Sequence, residues 1–289
     1  MNVTVLLKNW LGRALCFVAL GMTMMAWAED VTEASLPFKV VKQELKQGGY
    51  LIGQTRPGAQ ISFLKHHVDV NKKGRFVIGF GRDFGAKTHF DIHYQGKQRR
   101  VALDIAPREW KIERIDGLPP SKVSPRKPEV LQRIRSEASL IRAARATRSE
   151  LLAFEQEFVL PSKGRISGVY GSQRVLNGKP KRPHFGLDIA APVGTPVYAP
   201  IDGVVSLSHD DMFYSGATLI LDHGYGLSST YIHLDKIEVE DGQQVKQGQL
   251  IARIGKSGRA TGPHLDWRIN WFEQRLDPAL FVDVASGAK

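Results

Sequence analysis

Two short segments set histidine and aspartate at even spacings among apolar residues. One is Pro183-His184-Phe185-Gly186-Leu187-Asp188-Ile189 and the other is Pro263-His264-Leu265-Asp266-Trp267-Arg268-Ile269. Side chains alternate faces along a strand, so residues an even number apart share a face. His184 then projects with Asp188, and His264 with Asp266, while Phe185, Leu187, Ile189, Leu265, Trp267 and Ile269 point into a core. Two strands that present imidazole and carboxylate to one side supply what a hydrolytic Zn²⁺ site requires: converging N or O ligands, with one position left open. A third histidine, His233, follows Tyr231 by two residues in Ser229-Thr230-Tyr231-Ile232-His233-Leu234, so the two are expected on one face. His184, Asp188, His233, His264 and Asp266 together offer metal ligands and groups able to shuttle protons for an attacking water. His209 and His223 each have an ordinary structural explanation and are expected to serve structure.

These residues need strands to position them, and the C-terminal part supplies them. Val197-Tyr198-Ala199, Gly203–Leu207, Ala217–Asp222, Ser229–Leu234 and Leu250–Ile254 are rich in β-branched and aliphatic residues, with Asp241-Gly242 and Gln247-Gly248 as turns. Residues 159–284 are therefore expected to form a compact β-sheet domain with a groove. Residues 29–107 read as short strands separated by turns such as Arg56-Pro57-Gly58 and Lys72-Lys73-Gly74, the pattern of a small β-sandwich. Its histidines, His66, His67, His89 and His93, find no third ligand and are expected to pack or face solvent. Residues 108–127, with Pro119-Pro120 and Pro125, read as a linker. Residues 128–158 open on Pro128 and carry apolar residues at helical spacing, which predicts one long amphipathic helix. The fold class expected is mainly β.

Residues 1–28 hold Lys8 and Arg13, no acidic residue, an apolar run from Ala14 to Met25, and Ala26-Trp27-Ala28 at the end. This is the pattern of a cleaved export signal, too short in its apolar run to span a bilayer comfortably. The single cysteine, Cys16, lies inside it, so a mature chain has no disulfide and no thiolate ligand. The expected location is periplasmic or secreted, with no integral membrane segment after cleavage. The chain has 40 Lys+Arg against 29 Asp+Glu, and removing a leader with two of the basic residues leaves a balance of +9. Such charge favours an acidic cell-wall polymer or anionic lipid, and no nucleic-acid-binding motif accompanies it.

The spacing His184-x3-Asp188, the run Thr230–Leu234, the run Thr261-Gly262-Pro263-His264-Leu265, Asp222-His223-Gly224, and Gly242-x2-Val245-x2-Gly248-x2-Ile251-Ala252-x2-Gly255 resemble the lysostaphin/LytM-type zinc metalloendopeptidases. The resemblance covers about Leu160 to Phe281, with the blocks in the family's order. It implies one Zn²⁺ in the catalytic domain, a narrow groove over it, and hydrolysis of peptide bonds in peptidoglycan cross-links or stems. His184 and Asp188 match zinc ligands; His233 and His264 match the catalytic histidines; Tyr231 is expected either to line the groove for substrate or to pack. The third ligand of the family is a histidine, and here Asp266 stands in its place. A carboxylate oxygen is an acceptable zinc ligand. The alternative implied is a degenerate domain that binds peptidoglycan and activates another cell-wall hydrolase or division partner. The Gly242–Gly255 stretch also resembles a lipoyl or biotin carrier, but Lys246 lacks the flanking tip motif such carriers need.

Overall fold

A computed structural model describes residues 36–116 and 128–284; the expected export signal and most of the expected linker lie outside them. The N-terminal strands form two antiparallel sheets. One orders Lys39–Gln43, Tyr50–Gln54 and Arg75–Gly79; the other orders His66–Val68, Gln60–Phe63, Lys87–Tyr94 and Lys97–Asp104. Alternation sends Phe90 and Ile92 inward from the Lys87–Tyr94 strand. There Phe90 meets Phe38 and Phe76 edge-on, with ring centroids 5.1 and 5.5 Å apart, closing a small sandwich. Gln95 and Gly96 both take positive φ, which makes the two-residue hairpin turn that matches strand twist.

The C-terminal part is one large antiparallel sheet. Its main path runs Gln244–Val245, Gly203–Met212, Gly216–Asp222, Leu227–Ile237, His264–Trp271, Leu187–Ala190 and Arg165–Gly168. On the His264–Trp271 strand, Leu265, Trp267, Ile269 and Trp271 are wholly buried in the core. His264, Asp266, Arg268 and Asn270 therefore take the opposite face.

Three boundaries differ from the sequence expectation. First, the sandwich shares a continuous core with the large sheet. Phe63 packs on Trp271 at 5.6 Å and Tyr50 stacks on Phe281 at 4.2 Å. A Cβ on Gly79 would lie 2.8 Å from Trp271, so the two parts meet backbone to side chain. Second, Ile112–Ile115, inside the expected linker, is a strand that pairs in parallel with Gln173–Leu176. Third, the helix spans Pro128–Ala146 and not the whole of 128–158. Beyond it the Ser149 backbone N–H donates to Asp222 Oδ2 at 2.9 Å, and a short turn at Ala153–Glu155 buries Ala153 and Phe154. These tertiary anchors outweigh helical propensity, which is weak per residue. The helix packs through Ile141 and Ala144 onto Leu207, Met212 and Ile220. No helix among the described residues is long and apolar enough to cross a membrane.

Candidate metal centre and active site

Antiparallel register places Asp188 directly opposite Asp266, on the face away from the Leu187–Trp267 core pair. Both carboxylates need space that glycine provides. A Cβ on Gly168 would lie 2.1 Å from Asp188 Oδ2, and one on Gly186 would lie 2.1 Å from Asp266 Oδ1. His184 precedes the strand on an extended segment, where its N–H donates to the Ser172 carbonyl and its own carbonyl accepts from Gly171, each at 2.8 Å. This pairing aims the imidazole back over the sheet. His184 Nε2 comes 3.1 Å from Asp188 Oδ1, and His184 Nδ1 comes 3.9 Å from Asp266 Oδ2. One ligand atom from each of the three residues lies within 4.8 Å of the others.

His184 Nε2 and Asp188 Oδ1 are buried and have no hydrogen-bond partner; although close, they are not aligned to bond each other. Two orphaned polar atoms converging at that separation fit a shared metal ion, because ligands about 2.0–2.2 Å from a tetrahedral zinc stand roughly 3.3 Å apart. Burial pushes the His184 imidazole down, but the neighbouring Asp188 and Asp266 carboxylates outweigh it and raise it above its ordinary value. Asp266 is bound differently. Arg268 grips both its oxygens, Nε to Oδ1 at 2.9 Å and Nη2 to Oδ2 at 2.5 Å. Burial alone would push the Asp266 carboxyl up; the guanidinium overrides that and holds it below the usual carboxylate range.

His233 reaches the same face by breaking the strand's alternation. Tyr231 pairs with Trp267 and Ile232 with Asp266, and His233 then takes φ +64°. This left-handed residue coincides with a register shift against Gly216–Asp222 and turns the imidazole toward His264. The two rings stand 4.8 Å apart, tilted by 48°. His233 Nδ1 bonds the Ser257 carbonyl and His264 Nδ1 bonds the Gly262 carbonyl, each at 2.8 Å. A carbonyl only accepts, so both Nδ1 atoms carry the proton and both Nε2 atoms are left as bases. Burial pushes the His233 imidazole below its ordinary value, more than the Ser257 carbonyl and Asp266 raise it.

A profile of Peptidase family M23 matches residues 182–278, the segment that carries every residue of this cluster. Residues 182–278 therefore match a peptidase family M23 domain of the LytM type. Peptidoglycan DD-endopeptidase ShyA of Vibrio cholerae is 42% identical over 116 residues, covering 39% of this chain and 26% of that protein. Peptidoglycan DD-endopeptidase ShyB of the same organism is 46% identical over 87 residues, covering 30% of this chain and 20% of that protein. The matches thus span 26% and 20% of the length of these two relatives. The crystal structure of a peptidase M23 candidate from Pseudomonas aeruginosa superposes with TM-score 0.65 at 27% identity, over 82% of this chain and 95% of that one. That likeness extends well beyond the M23 segment.

Within the M23 domain, His184, Asp188 and Asp266 come together, with His233 and His264 beside them. Tyr231 does not join them. It is wholly buried on the core face, its hydroxyl bonded at 2.8 Å to Ser229 Oγ, which bonds His223 Nε2 at 2.7 Å. The expectation that Tyr231 shares a face with His233 and lines the groove fails because the left-handed His233 lies between the two orientations. Sequence reasoning also missed Arg268. Its signal was present: an arginine two residues after Asp266 shares its face by the same alternation that placed His264.

Proposed function

We propose that this protein is an exported zinc endopeptidase that hydrolyses peptide bonds in peptidoglycan cross-links or stems, with Glu29 as the first residue of its exported form. The observation that carries this is the convergence of His184 Nε2 and Asp188 Oδ1, both orphaned, with Asp266 beside two histidines that present unprotonated Nε2 atoms. The M23 match and the names of the Vibrio relatives support the substrate class. His184, Asp188 and Asp266 would hold the ion. When bound, zinc supplies Lewis-acid polarisation of the scissile carbonyl and makes water a usable nucleophile at neutral pH. His233, kept neutral by burial, accepts the proton from the attacking water at Nε2. The imidazolium so formed on His233 then donates that proton to the leaving amine, while His264, held by the Gly262 carbonyl with Nε2 unprotonated, accepts a hydrogen bond from the attacking water and orients it.

The Arg268 grip on both Asp266 oxygens favours a second reading, in which Asp266 is a counter-ion and the domain binds peptidoglycan and activates another hydrolase. Purified protein incubated alone with cross-linked peptidoglycan separates the two. The endopeptidase releases soluble peptide fragments and loses this with chelator and with His264→Ala. If the protein releases nothing alone but accelerates an added amidase, and His264→Ala retains that effect, the endopeptidase proposal is wrong.

A further inference from the structure

The polar face of the M23 sheet continues past the ligand cluster, and there it turns basic. Arg268 and Asn270 follow Asp266 on that face. Thr230 lies opposite Arg268 in register, and Arg145, from the last turn of the helix, reaches it with Nη2 at 3.1 Å from Thr230 Oγ1. Arg275 comes from the short strand Gln274–Leu276, opposite Asn270. Arg182 and Arg275 both stand near the ring of Phe185, at 5.6 and 5.7 Å from its centroid. Phe185 is the residue after His184, so this group adjoins the metal ligands. Among the described residues, Arg268 alone of the four arginines has a carboxylate within ion-pair distance, and that is Asp266.

The cluster is costly as it stands. Arg145 Nε and Arg275 Nη1 are buried and have no hydrogen-bond partner. Asn270 Oδ1 and Ser228 Oγ, opposite each other in register, are orphaned as well. Burial, then the neighbouring guanidiniums, pushes Arg145 well below the ordinary arginine value and Arg275 down to about 9. Buried cations without counter-charge are disfavoured, and a protein keeps them where an anion arrives to pair with them. Guanidinium forks match the planar oxygens of a carboxylate in bidentate geometry.

We propose that Arg145, Arg182 and Arg275, beside the Asp266-paired Arg268, form an anion subsite that takes a carboxylate of the substrate peptide. This deepens the endopeptidase proposal and rests on it, since Phe185, flanked by Arg182 and Arg275, directly follows His184. The same forks would accept phosphate, so the probes must distinguish the two.

The test uses the full exported chain with metal removed by chelator, so that binding is read without turnover. Calorimetry compares an acetylated tetrapeptide bearing free carboxylates, the same peptide amidated at every carboxylate, and inorganic phosphate. The acidic peptide is expected to bind, with the amidated one weaker by about tenfold or more, the loss of a charge-assisted pair. Arg182→Gln and Arg275→Gln should each weaken the acidic peptide several-fold while raising the melting temperature of the free protein, because each relieves like-charge repulsion. A merely structural arginine would lower the melting temperature and leave binding alone, and that result overturns the subsite. Equal affinity for acidic and amidated peptides overturns it as well, and phosphate binding tighter than peptide overturns the carboxylate assignment. Carboxylate-dependent binding in a protein that hydrolyses nothing leaves the subsite standing and rejects only the endopeptidase.

Discussion

Asp266 offers two oxygens, and Arg268 holds both at 2.9 and 2.5 Å while His184 waits 3.9 Å away. A ligand so gripped is oriented, as outer partners of metal ligands commonly are. It also shares its charge with a cation. Substitution separates the two roles. His184→Ala and Asp188→Ala should each abolish stoichiometric zinc, read by elemental analysis of the purified protein. Asp266→Ala should lower zinc on either account, since it removes a ligand or leaves Arg268 unpaired beside the ion. The double variant Asp266→Ala/Arg268→Met decides between them. If Asp266 is a ligand, zinc affinity stays lower by more than the roughly tenfold that losing even an outer partner of a ligand costs. Recovery of full occupancy in the double variant would show that Asp266 only neutralises Arg268.

The strands bring these residues together with almost no slack, and that tightness is testable. Gly186→Ala and Gly168→Ala would drive a methyl to within 2.1 Å of Asp266 and Asp188 oxygens respectively, and should lose metal binding while the fold persists. Gly85→Ala, whose Cβ meets nothing nearer than 3.9 Å, is the control that should bind metal normally. A second element has a pH signature. His223 is fully buried between the Asp202 carbonyl and Ser229, and burial pushes its pKa from 6.5 down to about 4. The unfolded chain takes up a proton on this ring below pH 6.5 while the folded chain does not. Its contribution to stability is therefore intact above pH 6.5 and falls as pH drops, by about 3 kcal/mol at pH 4. Denaturant titrations from pH 4 to 8 should show this slope, and His223→Gln should flatten it.

Much of this geometry was legible in the chain. Alternation of small, polar and large apolar residues along Pro263–Ile269 fixed which side chains face the core, because a strand has only two faces. That His264 and Asp266 share one face, away from Leu265 and Trp267, followed from that. The conformation of His233 was not legible, since a left-handed backbone at a non-glycine residue is set by the Ser215 and Gly255 hydrogen bonds on either side, not by the imidazole. Tyr231 was misplaced by the same blind spot. Arg145 came from a helix whose end depends on Asp222, some seventy positions away, and no local pattern announces such an anchor.

At the scale of the molecule, the sandwich and the M23 sheet are joined through Trp271, Leu276 and Phe281. Trp271 points away from the face of His264, Asp266 and Arg268, so this joint buttresses the sheet from behind the site. The two parts should unfold in one transition. Trp271→Ala should cost about 3–5 kcal/mol and lower the midpoint reported by probes in both parts together. Separate transitions in calorimetry would mean that the shared core does not couple them.

The pairing of Asp266 with Arg268 also constrains how such a site can change over generations. Asp266→His alone would set an imidazole against Arg268 and take away the carboxylate that grips both its fork nitrogens, leaving Asp188 across the strands as the nearest counter-charge. Losing Arg268 alone would leave the Asp266 and Asp188 carboxylates opposed across the strands with only the His184 imidazole between them. Either first step is penalised, so the two positions are expected to change together. A lineage that regains the histidine should be found to have surrendered the arginine as well.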